Sequence, residues 1–141
     1  MRVFVTGGAG FVGSAIVRYL VLEKKIEVIT VDKLTNAGSR SRLIKVENDP
    51  LHKFLKVDVC DRGAIAHAFE TFKPDRVIHL AAESHVDRSD ASTQQIINTN
   101  IVTIHFLCSK SHSLPRFCSD VLLDLCFIFP TLHFWTKNST N

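Results

Sequence analysis

Residues 6–13 read TGGAGFVG, and no other stretch constrains the fold of this chain as tightly. Ahead of them, Arg2–Thr6 (RVFVT) is rich in strand-forming residues. Behind them Phe11, Val12, Ala15, Ile16, Tyr19, Leu20 and Leu22 recur at three and four, which predicts a helix over 11–22 buried on one face. Gly8, Gly10 and Gly13 satisfy G-x-G-x-x-G, while Gly7, Gly10 and Gly13 satisfy a G-x-x-G-x-x-G variant. Glycine at such positions permits a tight turn, lets the backbone approach a pyrophosphate and lets a helix pack closely on a strand. Phosphates bound there would sit at a helix N-terminus, where unpaired N–H groups and the helix dipole favour negative charge.

The rest of the first hundred residues continues the alternation. Ile26–Val31 reads as a second strand closed by Asp32, and the polar stretch with Asn36, Gly38, Ser39 and Ser41 as a loop. A third strand is expected around Lys53–Val57. Asp61 then caps a helix over Gly63–Phe72, Lys73–Asp75 turns the chain, and Arg76–Leu80 is a fourth strand. Ser92–Leu107 again has helical spacing. Strands that are near-continuously apolar, alternating with helices, imply a parallel sheet covered on both faces. The fold expected is therefore α/β, a Rossmann-type doubly wound parallel sheet, incomplete at about four strands.

Beyond about residue 103 the character changes. No glycine follows Gly63, and residues 101–141 carry only five charged side chains but three of the four cysteines and half of the phenylalanines. The expected division is a truncated dinucleotide-binding domain over 1–107 and a poorly specified tail over 108–141, disordered or collapsed. If the sheet stops at four strands, the fourth has an open edge prone to association. The run VLLDLCFIF is the one tail segment that could cover it as a substitute strand, with Asp124 in its middle against that role.

Composition narrows the function classes. A net charge of +3 with no block of like charges argues for neither nucleic acid nor an anionic membrane. VLLDLCFIF is too short to span a bilayer. Cys60, Cys108, Cys118 and Cys126 form no CxxC pair, so neither a zinc site nor a redox motif is indicated. With no signal peptide pattern at the start, reduced thiols in a cytoplasmic protein are expected. No metal ligands are assigned, since the remaining histidines show no ligand spacing and His79 alternates with apolar strand residues as a packed histidine would.

Asp32 stands 19 residues beyond Gly13, at the end of the second strand. There its carboxylate can accept hydrogen bonds from adenosine ribose hydroxyls and repel a 2′-phosphate, which favours NAD as the cofactor. Lys33, Arg40 and Arg42 nearby leave NADP open, and an aspartate at a strand end also simply closes turns. Asp58, after the third strand, can reach an adenine amino group with Val59 packing on the ring. Past the fourth strand comes LAAESHVDRS. Ala81 and Ala82 are small enough to pass close to a cofactor, and Glu83, Ser84 and their polar neighbours would face its nicotinamide end and a substrate. A Ser84–His85–Glu83 triad is disfavoured, because side chains so close in sequence rarely meet in that geometry.

Taken together, VFVTGGAGFVGSAIVRYL, VDKLTNAG, DVCD and HLAAESHVDRS followed by INTNIV resemble the extended short-chain dehydrogenase/reductases, and within them the dTDP-glucose 4,6-dehydratase family. The resemblance covers about residues 1–102. It implies that Phe11 and Val12 contact the NAD pyrophosphate through their N–H groups, beside Gly7, Gly10 and Gly13. It implies further that Asp32, Lys33, Leu34 and Thr35 surround the adenosine ribose, and Asp58 and Val59 the adenine. Leu80, Ala81, Ala82, Glu83 and Ser84 would line the nicotinamide half, with Thr99 completing the shell and Ser84 also touching the sugar nucleotide. In that family a hydride leaves C4 of the glucose ring, water is eliminated across C5–C6 and the hydride returns to C6. The product is a 4-keto-6-deoxy sugar nucleotide.

Where the family continues to a Thr-Asp-Glu group and a Tyr-x-x-x-Lys pair, these 141 residues have neither. Ser119–Asp120 is the nearest echo of the acid site, and the single tyrosine, Tyr19, lies inside the first helix. No catalytic residue is therefore assigned, and the chain alone is expected to be inactive. The abrupt change near Val102–Thr103 resembles the outcome of a reading-frame shift or a gene fragment. The helices that usually build the family homodimer are mostly absent, which leaves the oligomeric state of this chain open and the homodimer in doubt. The other reading left open is a non-catalytic NAD-binding or interaction module, or a related nucleotide-sugar epimerase or dehydratase.

Overall fold

The structure, a computed structural model, describes residues 1–35, 38–82, 99, 103, 105–107 and the backbone of 122–123. Its centre is strand β1, Arg2–Thr6, buried from Val3 onward. β1 pairs in parallel with β2 (Glu27–Val31) on one side and with β4 (Arg76–His79) on the other, and β2 pairs in parallel with β3 (His52–Leu55). A two-residue strand β5, Leu122–Leu123, adds to β4 with Ile78 opposite Leu122 and His79 opposite Leu123. The order is β3-β2-β1-β4-β5. The four strands and parallel sheet expected from the sequence are present. The fourth strand's outer edge carries the short tail strand rather than ending the sheet.

Alternation along each strand sorts the core into two layers. Val3 and Val5 of β1 join Val28 of β2 and Val17 of helix α1 (Phe11–Arg18) on one face. Phe4 joins Ile29, Val31 and Val77 against Ile65, Ala68 and Phe69 of helix α2 (Arg62–Phe72) on the other. Phe4 and Phe69 meet with ring centroids 4.8 Å apart and tilted, a geometry aromatic pairs favour. Leu107, fully buried, extends this second layer, and the Arg62 guanidinium lies 5.8 Å from the Phe106 ring centroid.

Element ends differ from the expectation in instructive ways. The first helix is regular only to Arg18; Tyr19–Glu23 widens into a π-helical turn, with the Lys24 N–H donating to Tyr19 O and Lys25 in the left-handed region. The third strand lies earlier than predicted, because Asp32 N–H to Leu55 O is its last rung to β2 and the chain then leaves toward Asp58. Asp61 caps α2 as expected, its side chain accepting from Ala64 N–H at 3.0 Å. The polar stretch predicted as loop continues into a 3-10 helix, Arg40–Leu43, whose Leu43 is 1% exposed and joins the α1-side layer with Val46. Most of the predicted helix over 92–107 lies outside the described residues, as does most of the tail.

Candidate functional site

The strand order reverses between β1 and β4, so a crevice opens at their carboxyl ends. Its floor is the glycine turn. Gly7 has φ +68°, a left-handed conformation disfavoured for residues with a Cβ, and donates its N–H to Val31 O at 2.8 Å. A Cβ on Gly7 would lie 2.5 Å from Ala81 N, and one on Gly13 would collide with the Gly7 carbonyl. The turn therefore closes only if both positions are bare. Gly10, extended and without a side-chain cap, leads into α1, whose first turn holds no acidic residue. The leading N–H groups of the helix, those of Phe11, Val12 and Gly13, have no acceptor within the helix. The Phe11 and Val12 side chains stand out at its lip, 83% and 45% exposed.

Asp32 anchors this floor from beneath. Its Oδ2 accepts from Ala9 N–H at 3.0 Å and its Oδ1 from Leu34 N–H at 2.8 Å, and the residue is 8% exposed. The expectation gave Asp32 to a ribose or to a turn; the structure shows it holding two turns while it lines the crevice. The Ala9 carbonyl accepts in turn from Ser39 N–H at 3.0 Å and from Arg42 Nη1 at 3.1 Å, so the 38–43 segment is tied to the glycine turn. Asp58 accepts from Cys60 N–H at 2.9 Å, and its other oxygen lies 3.6 Å from Lys33 Nζ. It is a loop acid that also joins the ends of β2 and β3.

The crevice brings together most of the residues named from sequence. Gly7 and Gly10 form one end; Asp32, Lys33, Thr35 and Val59 form the side above β2 and β3. Leu80, Ala81, Ala82 and Thr99 complete the lining. Thr99 is 3% exposed and its hydroxyl lies 3.5 Å from Cys60 Sγ. Phe11, Val12, Gly13, Leu34 and Asp58 flank this lining. Glu83 and Ser84 lie outside the described residues. Gly38 lines the crevice and was not singled out; a Cβ there would lie 2.8 Å from Asp32 Oδ1. Its sequence signal was its place at the end of VDKLTNAG, in the loop after the acid, where a glycine reads equally as an ordinary turn. Among the described residues no three His, Cys, Asp or Glu side chains converge as metal ligands, and no helix is long and apolar enough to cross a membrane.

A parallel sheet ordered 3-2-1-4, with a glycine turn and an uncapped helix start at its switch point, defines a Rossmann-type nucleotide-binding fold. Comparison with known proteins narrows this. The profile of the GDP-mannose 4,6-dehydratase family matches residues 4–115, and the chain belongs to that family. The match runs past the change of character near residue 103. A probable dTDP-glucose 4,6-dehydratase from Sinorhizobium fredii is 58% identical over 101 residues, 72% of this chain and 29% of that protein. The crystal structure of the dTDP-glucose 4,6-dehydratase DesIV from Streptomyces venezuelae, solved with NAD bound, is 40% identical with a TM-score of 0.69. The alignment covers 79% of this chain and 35% of that one. UDP-glucose 4-epimerase from Thermus thermophilus, in complex with NAD, is 33% identical with a TM-score of 0.68, over 82% of this chain and 35% of that one. The chain thus spans about a third of the length of these relatives.

Proposed function

We propose that the chain is the NAD-binding N-terminal part of a dTDP-glucose 4,6-dehydratase and does not turn over the sugar by itself. One observation carries the reading: the bare, uncapped glycine turn and the carboxylate of Asp32 line a single crevice, together with Leu80–Ala82. The first-turn N–H groups of α1 would hold the pyrophosphate, and any Cβ at Gly7 or Gly13 would disrupt the floor under it. Asp32 uses two of about four acceptor sites on backbone N–H groups, which leaves acceptor capacity for ribose hydroxyls. Lys33, Leu34 and Thr35 would flank that ribose, Asp58 and Val59 the adenine, and Leu80 to Ser84 with Thr99 the nicotinamide half. Once bound, NAD would supply the hydride acceptor for sugar oxidation.

The substrate side of the reading is a nucleotide sugar, which Ser84 would touch. The fold does not separate dehydratase from epimerase, since both kinds of neighbour superpose about equally; the higher identity to the dehydratases favours dehydration. Cys60, exposed and outside any disulfide, agrees with a cytoplasmic setting. Titration calorimetry of the 141-residue chain with NAD and with NADP, beside an assay of 4-keto-sugar formation from dTDP-glucose, tests the proposal. Saturable binding of NAD in preference to NADP without turnover is expected. A folded chain that binds neither nucleotide overturns the cofactor assignment, and turnover overturns the inactivity.

A further inference from the structure

Two threonine–histidine pairs lie inside the sheet, and the cofactor reading uses neither. Thr6 and His79, the last residues of β1 and β4, are register partners, 0% and 3% exposed, with Thr6 Oγ1 and His79 Nδ1 2.6 Å apart. Thr30 on β2 and His52 on β3 are 0% and 7% exposed, with Thr30 Oγ1 and His52 Nε2 3.0 Å apart. Alternation puts the first pair on the Phe4 face and the second on the Val28 face. Each pair adjoins the glycine turn. Thr30 lies under Gly8, where a Cβ would be 2.5 Å from its methyl carbon, and Thr6 immediately precedes Gly7.

Buried polar pairs of this kind add little where apolar side chains of the same shape would pack, and His79 keeps its second ring nitrogen, Nε2, without a partner among the described residues. A hydrogen bond does what an apolar contact cannot: it sets a distance and a direction. At Thr6 and His79 that matters, because the strands part just beyond. Thr6 O accepts from Leu80 N–H at 3.0 Å, and Gly7 then turns away toward Val31. Yet Gly7 and Ala81 still touch so closely that no Cβ fits between them.

We infer that His79, through its hydrogen bond to Thr6, is a positioning residue that sets the separation of Gly7 from Leu80–Ala81 and so the width of the crevice floor. The geometric part stands on the sheet alone. Only the occupant of that floor, the dinucleotide, rests on the function proposed above.

The test uses the whole 141-residue chain and two variants. In the double variant Thr6→Val/His79→Leu both partners become apolar, an exchange that leaves stability nearly unchanged. In His79→Asn the side-chain amide can take the place of Nδ1. Amide hydrogen exchange at Gly7 and Leu80, the thermal midpoint and the NAD dissociation constant are read for each. The double variant is expected to keep its midpoint, to exchange faster at both amides and to bind NAD about tenfold more weakly or worse. His79→Asn is expected to keep slow exchange and wild-type affinity. A double variant with wild-type exchange and affinity overturns the inference. If the double variant does not fold, a folded His79→Asn that exchanges rapidly at Gly7 and Leu80 overturns it equally. A wild-type chain that fails to bind NAD sinks the cofactor reading alone, and the exchange data still decide the role of His79.

Discussion

Gly7 and His79 show how single residues are constrained from opposite directions. Gly7 is held by what cannot be added: its positive φ and its contact with Ala81 N leave no room for a methyl group. Gly7→Ala is expected to destabilise the fold by on the order of 2 kcal/mol and to weaken NAD binding more than tenfold, measured by urea unfolding and calorimetry. His79 is constrained by what burial does to its charge. Desolvation lowers its pKa from 6.5 to about 4, and burial lowers that of His52 as well. Both are neutral in the folded protein at pH values where the unfolded chain binds a proton. The contribution of His79 is therefore complete above pH 6.5 and is lost as pH falls toward 4, and that of His52 declines in the same direction. For His79 the loss is on the order of 3 kcal/mol. A urea midpoint that stays level across that interval would contradict this account.

Among the elements, α2 offers the clearest tests because both its ends are explicit. At the start, the Asp61 carboxylate accepts from Ala64 N–H. Replacing it with alanine is expected to cost about 1 kcal/mol, seen as a fall in thermal midpoint of a few degrees. At the end, Lys73 sits at φ 45°, donating its N–H to Phe69 O, in the left-handed conformation that closes helices but strains a side chain. Lys73→Gly is expected to raise stability by about 0.5–1 kcal/mol, the reverse of glycine's usual effect in a helix. The same denaturation series measures it, and a loss of stability there would mean that the Lys73 side chain makes a contact outweighing its strain. The cap was readable in advance, since Asp61 precedes an amphipathic run. The left-handed lysine was not, because φ is set by how the chain must turn to reach β4, and lysine gives no sign of it.

At the scale of the molecule, the crevice joins residues far apart in sequence: 7 and 10, 32, 33, 35 and 38, 59, 80–82 and 99. Such a site forms only when β1, β2 and β4 are all in place, so ligand binding and folding are linked. NAD at a hundredfold excess over its dissociation constant is expected to stabilise the chain by about 2.7 kcal/mol. Thermal scans with and without the nucleotide measure this, and an unchanged midpoint at saturation counts against the site. The 38–43 segment belongs to the same scale. Ser39 and Arg42 both donate to the Ala9 carbonyl, and Leu43 and Val46 pack on α1's side of the sheet. That joins a stretch that reads as polar loop to both the core and the glycine turn.

The sequence by itself determined the strands, the glycine turn, the acid at the end of β2 and the cap of α2. Each depends on residues within one or two turns of chain, where steric freedom, apolar period and capping chemistry are local. Tertiary structure alone decided that Asp32 holds Ala9 and Leu34 as well as lining the crevice, and that Gly38 belongs to the lining. It alone paired Thr6 with His79 across 73 residues, and it decided that Leu122–Leu123, within the run the sequence offered as a covering strand, lies beside β4. Those features are distances between side chains or strands that become neighbours only when the sheet assembles. A buried histidine or a glycine in a loop has the same appearance in sequence whether or not such a partner awaits it.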